Sequence, residues 1–318
     1  MKFFVTGGAG FIGSNLVDRL LEDGHQVVAY DNLSTGQIKF LHRALENEKF
    51  KFIEGDLLDK EKLNDSILGS EIVIHFAANA DIKDGLNHPF RDLEQNTIAT
   101  FNLLEAMRSN KITKIAFSST GSVYGDCKVI PTPEDAPFPV QTSLYASSKL
   151  ACEALIQSYC EGFGFQSWIF RFVSILGERY SHGHVYDFYK QLLDDPNQLK
   201  VLGNGKQEKS YLYIKDCVDG VLYAINNADS KINIFNLGTN ETCIVTESIS
   251  EIVKQLELEP KLNFTGGKRG WVGDNPLILL DISKITELGW TPKVSIRDGI
   301  IKTVKYLQEN SWLIEERS

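Results

Sequence analysis

Tyr145 and Lys149 stand four residues apart in Tyr145-Ala146-Ser147-Ser148-Lys149, a phenol and an ammonium at the spacing of one helical turn. The segment follows Pro137, Pro139 and the hydroxyl residues Thr142 and Ser143, which are suited to start a helix. Such a pair can move a proton. A free tyrosine titrates near pH ~10, so acting as a base near neutrality takes a shift of roughly 3 units, or about 4 kcal/mol. A neighbouring positive charge favours the phenolate and supplies part of that shift. Taken alone, the pair equally describes a solvated helix face.

A second constellation lies far upstream. Gly7-Gly8-Ala9-Gly10-Phe11-Ile12-Gly13 follows an apolar strand and opens a helix. Only glycine permits the tight turn there and lets backbone amides meet a pyrophosphate at the helix N-terminus. A glycine-rich turn by itself says little; a strand before it and a helix after it make the pattern specific. Asp31, followed by Asn32, stands at the end of the next strand, 18 residues past Gly13. A carboxylate there accepts hydrogen bonds from ribose hydroxyls and repels a 2′-phosphate, which favours NAD over NADP. The competing reading of Asp31 is a turn cap. Asp56, followed by Leu57, either meets the adenine amino group or caps the turn after the third strand. With such a dinucleotide bound, the positive nicotinamide ring joins Lys149 in favouring a Tyr145 phenolate.

A hydroxyl donor is wanted opposite the tyrosine, and Ser118-Ser119-Thr120-Gly121-Ser122-Val123-Tyr124-Gly125 closes another strand. Ligands in open parallel sheets bind beyond the carboxyl ends of strands, so Ser119, Thr120 and Ser122 stand where substrate and cofactor would meet. The alternative is a hydroxyl-rich turn that satisfies its own backbone, and both can hold at once.

The elements that must position these groups alternate in type up to about Arg171. Strands are expected at 2–6, 26–30, 50–53, 71–76 and 114–118. Helices are expected at 11–22, where Phe11, Leu16, Leu20 and Leu21 recur at helical spacing, and at 92–108. Runs such as Ile72-Val73-Ile74 suit a parallel sheet covered on both faces. The expectation is an α/β chain, a doubly wound parallel sheet (Rossmann) with a smaller C-terminal substrate-binding lobe. Residues 1–172 form the NAD-binding domain and 173–318 mainly the lobe, with the strand Ile232–Leu237 rejoining the main sheet.

Composition narrows the partners. A net charge of -9 argues against recruitment to nucleic acid or an anionic membrane, so any anionic ligand must be held by local amides and a few cations. No apolar run has the length of a membrane span, and Gly7, Gly8 and Gly10 interrupt the first apolar stretch too early for a signal peptide. Five cysteines without a CxxC pair read as thiols of a reducing cytoplasm. His182 and His184 have no Cys or carboxylate companions, so no metal site is expected.

Taken in order, GGAGFIGS, Asp31, SSTGSVYG, YASSK and GNGKQEKSYLYIKDCVDG resemble the extended short-chain dehydrogenase/reductase family. The similarity runs through nearly the whole chain and is closest to the UDP-glucose (UDP-galactose) 4-epimerase group, archaeal-type members in particular. It implies a redox epimerisation of C4 of a UDP-sugar, with Tyr145 as base and acid on the 4-hydroxyl. By the same resemblance Lys149 holds the nicotinamide ribose and lowers the tyrosine pKa, and Thr120 hydrogen-bonds the reacting oxygen. Ala77 and Ala78 line the pyrophosphate region, Asn96 stands near the cofactor, and Lys209 and Arg269 contact the substrate diphosphate. Arg269 lies within Lys268-Arg269-Gly270-Trp271-Val272-Gly273-Asp274. A homodimer through the segments 96–108 and 145–159 is implied as well.

Three departures bear on substrate. Ser174 stands where the family commonly has asparagine, Ser181-His182-Gly183-His184-Val185-Tyr186 replaces an Asn-Asn-Leu segment, and Lys209 replaces an arginine and loses its bidentate grip. Ile278 resembles a gate position where a smaller residue admits an N-acetyl group, and Arg91, Arg179 and Lys83 are candidate partners for a glucuronate carboxylate. UDP-N-acetylglucosamine and UDP-glucuronate are therefore alternative substrates. A 4,6-dehydratase needs a further acid and base, typically Asp-Glu after the threonine, and Gly121-Ser122 stands there instead. A non-catalytic NAD-binding scaffold would show damage to Tyr145, Lys149 or Thr120, and all three are present.

Overall fold

A computed structural model describes residues 1–80, 84–138, 140–270 and 274–315. In chain order the first part runs β1 (Lys2–Thr6), α1 (Phe11–Glu22), β2 (Gln26–Asp31), α2 (His42–Leu45), β3 (Phe50–Glu54), α3 (Lys60–Ser66) and β4 (Ile72–His75). It continues with α4 (Pro89–Asp92), a π-helical turn (Leu93–Ile98), α5 (Ala99–Ser109), β5 (Lys114–Thr120), α6 (Leu144–Phe163) and β6 (Gln166–Phe172). The second part holds β7 (Ser174–Leu176), α7 (His184–Asp194), β8 (Gln198–Val201), β9 (Glu208–Lys209), β10 (Tyr211–Tyr213) and α8 (Ile214–Asn227). After these come β11 (Ile232–Leu237), β12 (Cys243–Ile244), α9 (Val245–Leu256), β13 (Lys261–Phe264), β14 (Leu277–Ile278), α10 (Ser283–Leu288) and α11 (Ile296–Glu309).

The chain divides into two compact units. One comprises Met1–Gly125, Phe138–Arg171 and Val221–Phe235; the other comprises Asp126–Pro137, Phe172–Gly220 and Asn236–Ser318. The first unit is built on a seven-stranded sheet in the order β11-β6-β5-β4-β1-β2-β3. β1 pairs in parallel with both β2 and β4, so the strand order reverses direction at β1/β4, the doubly wound arrangement. β11, from the second half of the sequence, lies at the edge of this sheet beside β6.

Burial explains why these segments pair. All four residues of β4, Ile72-Val73-Ile74-His75, are buried, as central strands covered on both faces require. Phe4, Val28, Tyr30, Leu103, Leu104, Met107, Ile115, Phe117, Ile156 and Ile169 form one continuous apolar core joining strands to α5 and α6. On α1 the buried residues Phe11, Leu16, Val17, Leu20 and Leu21 repeat at helical spacing.

Two expectations are adjusted. β2 and β5 run on to Asp31 and Thr120, past the apolar residues that mark them in the sequence. The single helix expected over 92–108 is instead α4, the π-helical turn and α5. The wider turn carries Asn96, whose amide reaches across to Asn79 and Ser148, and that contact is invisible to periodicity.

In the second unit α7, α9 and α11 pack through Val185, Phe188, Leu192, Ile249, Ile252, Ile300, Val304 and Leu307. Its strands form short sheets: β12-β9-β14, β10 with β7, and β13 with β8.

Candidate active site

The loop between β1 and α1 is built so that only glycine fits. Gly7 has φ +69°, and a Cβ there would lie 2.6 Å from Ala77 N. A Cβ on Gly13 would lie 2.0 Å from the Gly7 carbonyl oxygen, and one on Gly8 would lie 2.6 Å from Ala29 Cβ. The amide of Gly10 donates to Gly7 O at 3.0 Å, which closes the turn. No side chain caps the N-terminus of α1 and its first turn, with Phe11 and Ile12, has no acidic residue. The uncapped helix N-terminus and its dipole therefore favour an anion at this place.

Asp31, at the end of β2, is buried, and its two oxygens accept from Ala9 N at 2.9 Å and Leu33 N at 2.8 Å. Burial raises its carboxyl pKa and those two amides pull it back down. Two lone-pair sites remain for an incoming diol. A Cβ on Gly36 would lie 2.8 Å from Asp31 Oδ1, so glycine at 36 keeps the carboxylate uncovered. Asp56 caps its own turn through Leu58 N at 2.9 Å and accepts from Asn32 Nδ2 at 2.8 Å. Leu57 is part of the apolar core.

Tyr145, Lys149 and Thr120 come together. Ser143, two residues before the tyrosine, caps α6 by accepting from Ala146 N at 3.1 Å. Lys149 is almost fully buried, with its Nζ donating to Ser118 O at 2.8 Å and lying 6.0 Å from the centre of the Tyr145 ring. Burial depresses the Lys149 pKa to about 8, against the opposing pull of Cys152, Glu153 and Asp92. The half-buried Tyr145 lies beside Thr120, whose side chain favours its phenolate. Burial and then Asp92 push its pKa up, and the Thr120 contact brings it partly back. Thr120 Oγ1 also accepts from Ser122 N at 3.1 Å, so the hydroxyl-rich turn satisfies its own backbone and still faces the phenol.

Ser119 behaves differently. It is buried and donates to Glu153, away from the Tyr145 side. Glu153, one turn beyond Lys149, also accepts from Arg171 Nε at 3.0 Å and Nη2 at 2.7 Å. Arg171 Nη1 donates to Tyr124 Oη at 2.7 Å, with its guanidinium over the Tyr124 and Phe138 rings. This buried network ties β5, β6, α6 and the turn after Thr120 into one frame. Its one signal in the sequence is a pair of charges in otherwise apolar segments, too weak to single the two residues out.

A second buried chain lies beneath the pair. His75 Nδ1 is 2.7 Å from Thr6 Oγ1 and its Nε2 is 2.9 Å from Thr100 Oγ1. Thr100 donates to Cys152 Sγ, which donates to Asn96 O. Each group gives one hydrogen if His75 is neutral with its proton on Nε2, and burial followed by Lys149 lowers its pKa to about 3. Asn96 in turn accepts from Asn79 N at 2.8 Å and donates to Ser148 Oγ at 2.8 Å, fixing the loop after Ala77 and Ala78 to α6.

Ser174, Lys209, Arg269, Ile278, His184 and Arg179 belong to the second unit. Ser174 is exposed on β7, paired with Tyr211 of β10. Lys209 Nζ lies 2.6 Å from Asp274 Oδ1. Arg269 donates from Nη1 to Asp274 O at 2.7 Å and from Nη2 to Asp126 Oδ2 at 2.7 Å. Ile278 pairs in register with Lys209. His184 opens α7 and meets Ser248 Oγ at 2.7 Å, so it is a packed residue of the helix. Of the carboxylate candidates, Arg179 is buried and Arg91 is exposed, while Lys83 lies outside the described residues, as do Trp271, Val272 and Gly273. Among the described residues no group of His, Cys, Asp or Glu is arranged to hold a metal, and no helix is long and apolar enough to cross a membrane.

Comparison with known proteins is consistent along the chain. The sequence profile of the NAD dependent epimerase/dehydratase family matches residues 3–238. A putative UDP-glucose 4-epimerase of Methanocaldococcus jannaschii is 33% identical over 96% of this chain and 98% of its own length. The crystal structure of UDP-glucose 4-epimerase with UDP-glucose from Thermotoga maritima matches with a TM-score of 0.88 at 32% identity, covering 98% of this chain and 100% of that one. UDP-glucuronic acid 4-epimerase from Bacillus cereus, in complex with UDP-glucuronic acid and NAD, matches with a TM-score of 0.89 at 30% identity, covering 97% and 99%.

Proposed function

We propose that this chain, which belongs to the NAD-dependent epimerase/dehydratase family, inverts C4 of a UDP-hexose through a transient 4-keto sugar, using tightly held NAD. The observation that carries the reading is Tyr145 beside Thr120 with the buried Lys149 Nζ 6.0 Å from its ring, on the helix that follows the glycine loop and sheet.

The residues fit a dinucleotide. The glycine cradle would be filled by a Cβ at 7, 8 or 13, the N-terminus of α1 at Gly10, Phe11 and Ile12 carries no side-chain cap, and the Asp31 carboxylate is kept open by Gly36. Asp31 would hold the adenosine ribose, with Asn32, Asp56 and Leu57 alongside, while Ala77, Ala78, Asn96 and Ser118 would border the cofactor. Bound NAD supplies the acceptor and donor for the hydride. Tyr145 removes the proton from O4 and later returns it, and Thr120 donates to the same oxygen as charge develops there. Lys149 holds the nicotinamide ribose and places its positive charge under the phenolate. Lys209 and Arg269 take the diphosphate, with Ser122 and Ser174 beside the sugar nucleotide.

Gly121 and Ser122 after Thr120 offer no carboxyl group for elimination across C5 and C6, which favours epimerisation over dehydration. The test is incubation with NAD+ and, separately, UDP-glucose, UDP-N-acetylglucosamine and UDP-glucuronate, followed by separation of products. The expected result is a mixture of UDP-glucose and its C4 epimer without accumulation of NADH. A dehydrated 4-keto product, or conversion of none of the three, would overturn the reading.

The enzyme is also proposed to act as a homodimer through α5 and α6. Phe101, Phe163 and Leu144 are 42%, 53% and 39% exposed on these helices, apolar surface that a second copy would cover. Replacing Phe101 with glutamate is expected to halve the mass measured by light scattering. A wild-type protein that is already monomeric at micromolar concentration would sink the dimer.

A further inference from the structure

The two cations of the second unit arrive already paired. Asp274 is buried and accepts from Lys209 Nζ at 2.6 Å and from Gly270 N at 2.8 Å, so it fastens the loop around 270 to β9 as part of the fold. The Arg269–Asp126 pair is of another kind. Its N···O distance is 2.7 Å, yet the two side chains are 41% and 52% exposed, so the Nη2 contact lies in water and can exchange while Nη1 stays on Asp274 O. Among the described residues Asp126 has no second duty of this sort, and it directly follows Gly125, whose φ of +53° ends the turn carrying Ser122. Two ammonium or guanidinium groups against two carboxylates leave this cluster with no net charge toward an incoming anion.

We propose that Asp126 is an internal competitor for the diphosphate: it shares the Arg269 guanidinium and is displaced when a nucleoside diphosphate binds. This rests on the reading of Arg269 as a diphosphate cation. A carboxylate left within a few ångströms of a phosphate repels it, so the Asp126 carboxylate must swing into solvent, and its exposure lets it do so. The exchange lets a product diphosphate leave again, because the cation has another partner waiting. Asp274, being buried and bonded to the backbone, does not take part.

The probes are UDP and dTDP, titrated calorimetrically into the full-length wild type, Asp126→Asn, Arg269→Gln and the double variant at low and high salt. Arg269→Gln is expected to weaken both nucleotides at least roughly tenfold, as loss of a charge-assisted contact does. Asp126→Asn is expected to tighten both by roughly threefold at low salt, the scale of an exposed ion pair, with the gain shrinking at high salt. In the double variant the effect of the Asp126 substitution should vanish. Weakening by Arg269→Gln together with no change, or a loss, on Asp126→Asn overturns the competitor and leaves the diphosphate reading standing. No effect of Arg269→Gln overturns both.

Discussion

Replacing Tyr145 with phenylalanine is expected to cut epimerase turnover by roughly 10³-fold while leaving UDP affinity within a few fold of wild type. The substitution removes one oxygen and keeps the ring that packs at the start of α6. Burial and Asp92 raise the phenol pKa in the protein by itself, so Tyr145 is a poor base until positive charge is placed beside it. Lys149 stands 6.0 Å from the ring and its Nζ is engaged by Ser118 O. A proton acceptor that becomes competent only when the nicotinamide charge is added would couple deprotonation of O4 to the presence of oxidised cofactor. Turnover measured by epimer separation, with UDP titrated calorimetrically as the control, checks this. A Tyr145→Phe enzyme that keeps more than roughly a tenth of wild-type turnover would mean that another group moves the O4 proton.

Much of the fold was legible because its signals are local. Apolar strands such as Ile72-Val73-Ile74 and the recurring Phe11, Leu16, Leu20 and Leu21 of α1 are set by burial on one face or two, and each can be read in a short window. The tightest glycine of the 7–13 loop is equally local, since a Cβ on Gly13 collides with the Gly7 carbonyl only a few residues back. The spacing of Tyr145 and Lys149 is a property of one helix.

What escaped the sequence depends on partners far along the chain. Glu153 and Arg171 are 18 residues apart and meet only because β6 lies beside β5 beneath α6. Ser119 is flanked by two residues that face the candidate site, but the alternation of a strand turns its own hydroxyl inward to Glu153. Lys209 was legible as a lone cation; its pairing with Asp274, 65 residues on, follows from β14 lying in register with β9. The Glu153–Arg171 pair has a consequence for the site. Breaking one partner of a buried pair strands a charge at a cost of about 3–5 kcal/mol. The frame holding Ser118, Thr120 and Tyr124 is thus rigid for reasons that have nothing to do with local propensity.

Replacing Lys149 with methionine should move activity and stability in opposite directions. Turnover is expected to fall by at least roughly 10²-fold, since in the proposed mechanism the charge beside the phenolate and the ribose contact would both be lost. For stability the sign follows from the folded pKa, depressed from 10.5 to about 8 chiefly by burial. Above about 10.5 the amine is neutral folded or unfolded and carries no penalty. As pH falls from there to about 8 the unfolded chain takes up a proton that the folded chain resists, and stability is lost across that window. Below about 8 both states are charged and the full penalty, roughly 3 kcal/mol, stands. Methionine removes it and forfeits the charge-assisted hydrogen bond to Ser118 O, worth about 1.5–3 kcal/mol. The net expectation is a variant up to about 1.5 kcal/mol more stable than wild type at about pH 7, with the advantage gone near pH ~10.5. Urea denaturation at the two pH values reads this directly, and a variant less stable than wild type near neutrality would refute it. A buried ammonium that weakens the fold at the pH where it is charged is hard to explain as packing. Placed against Ser118 and Tyr145, it makes sense as a charge kept for proton transfer at the expense of stability.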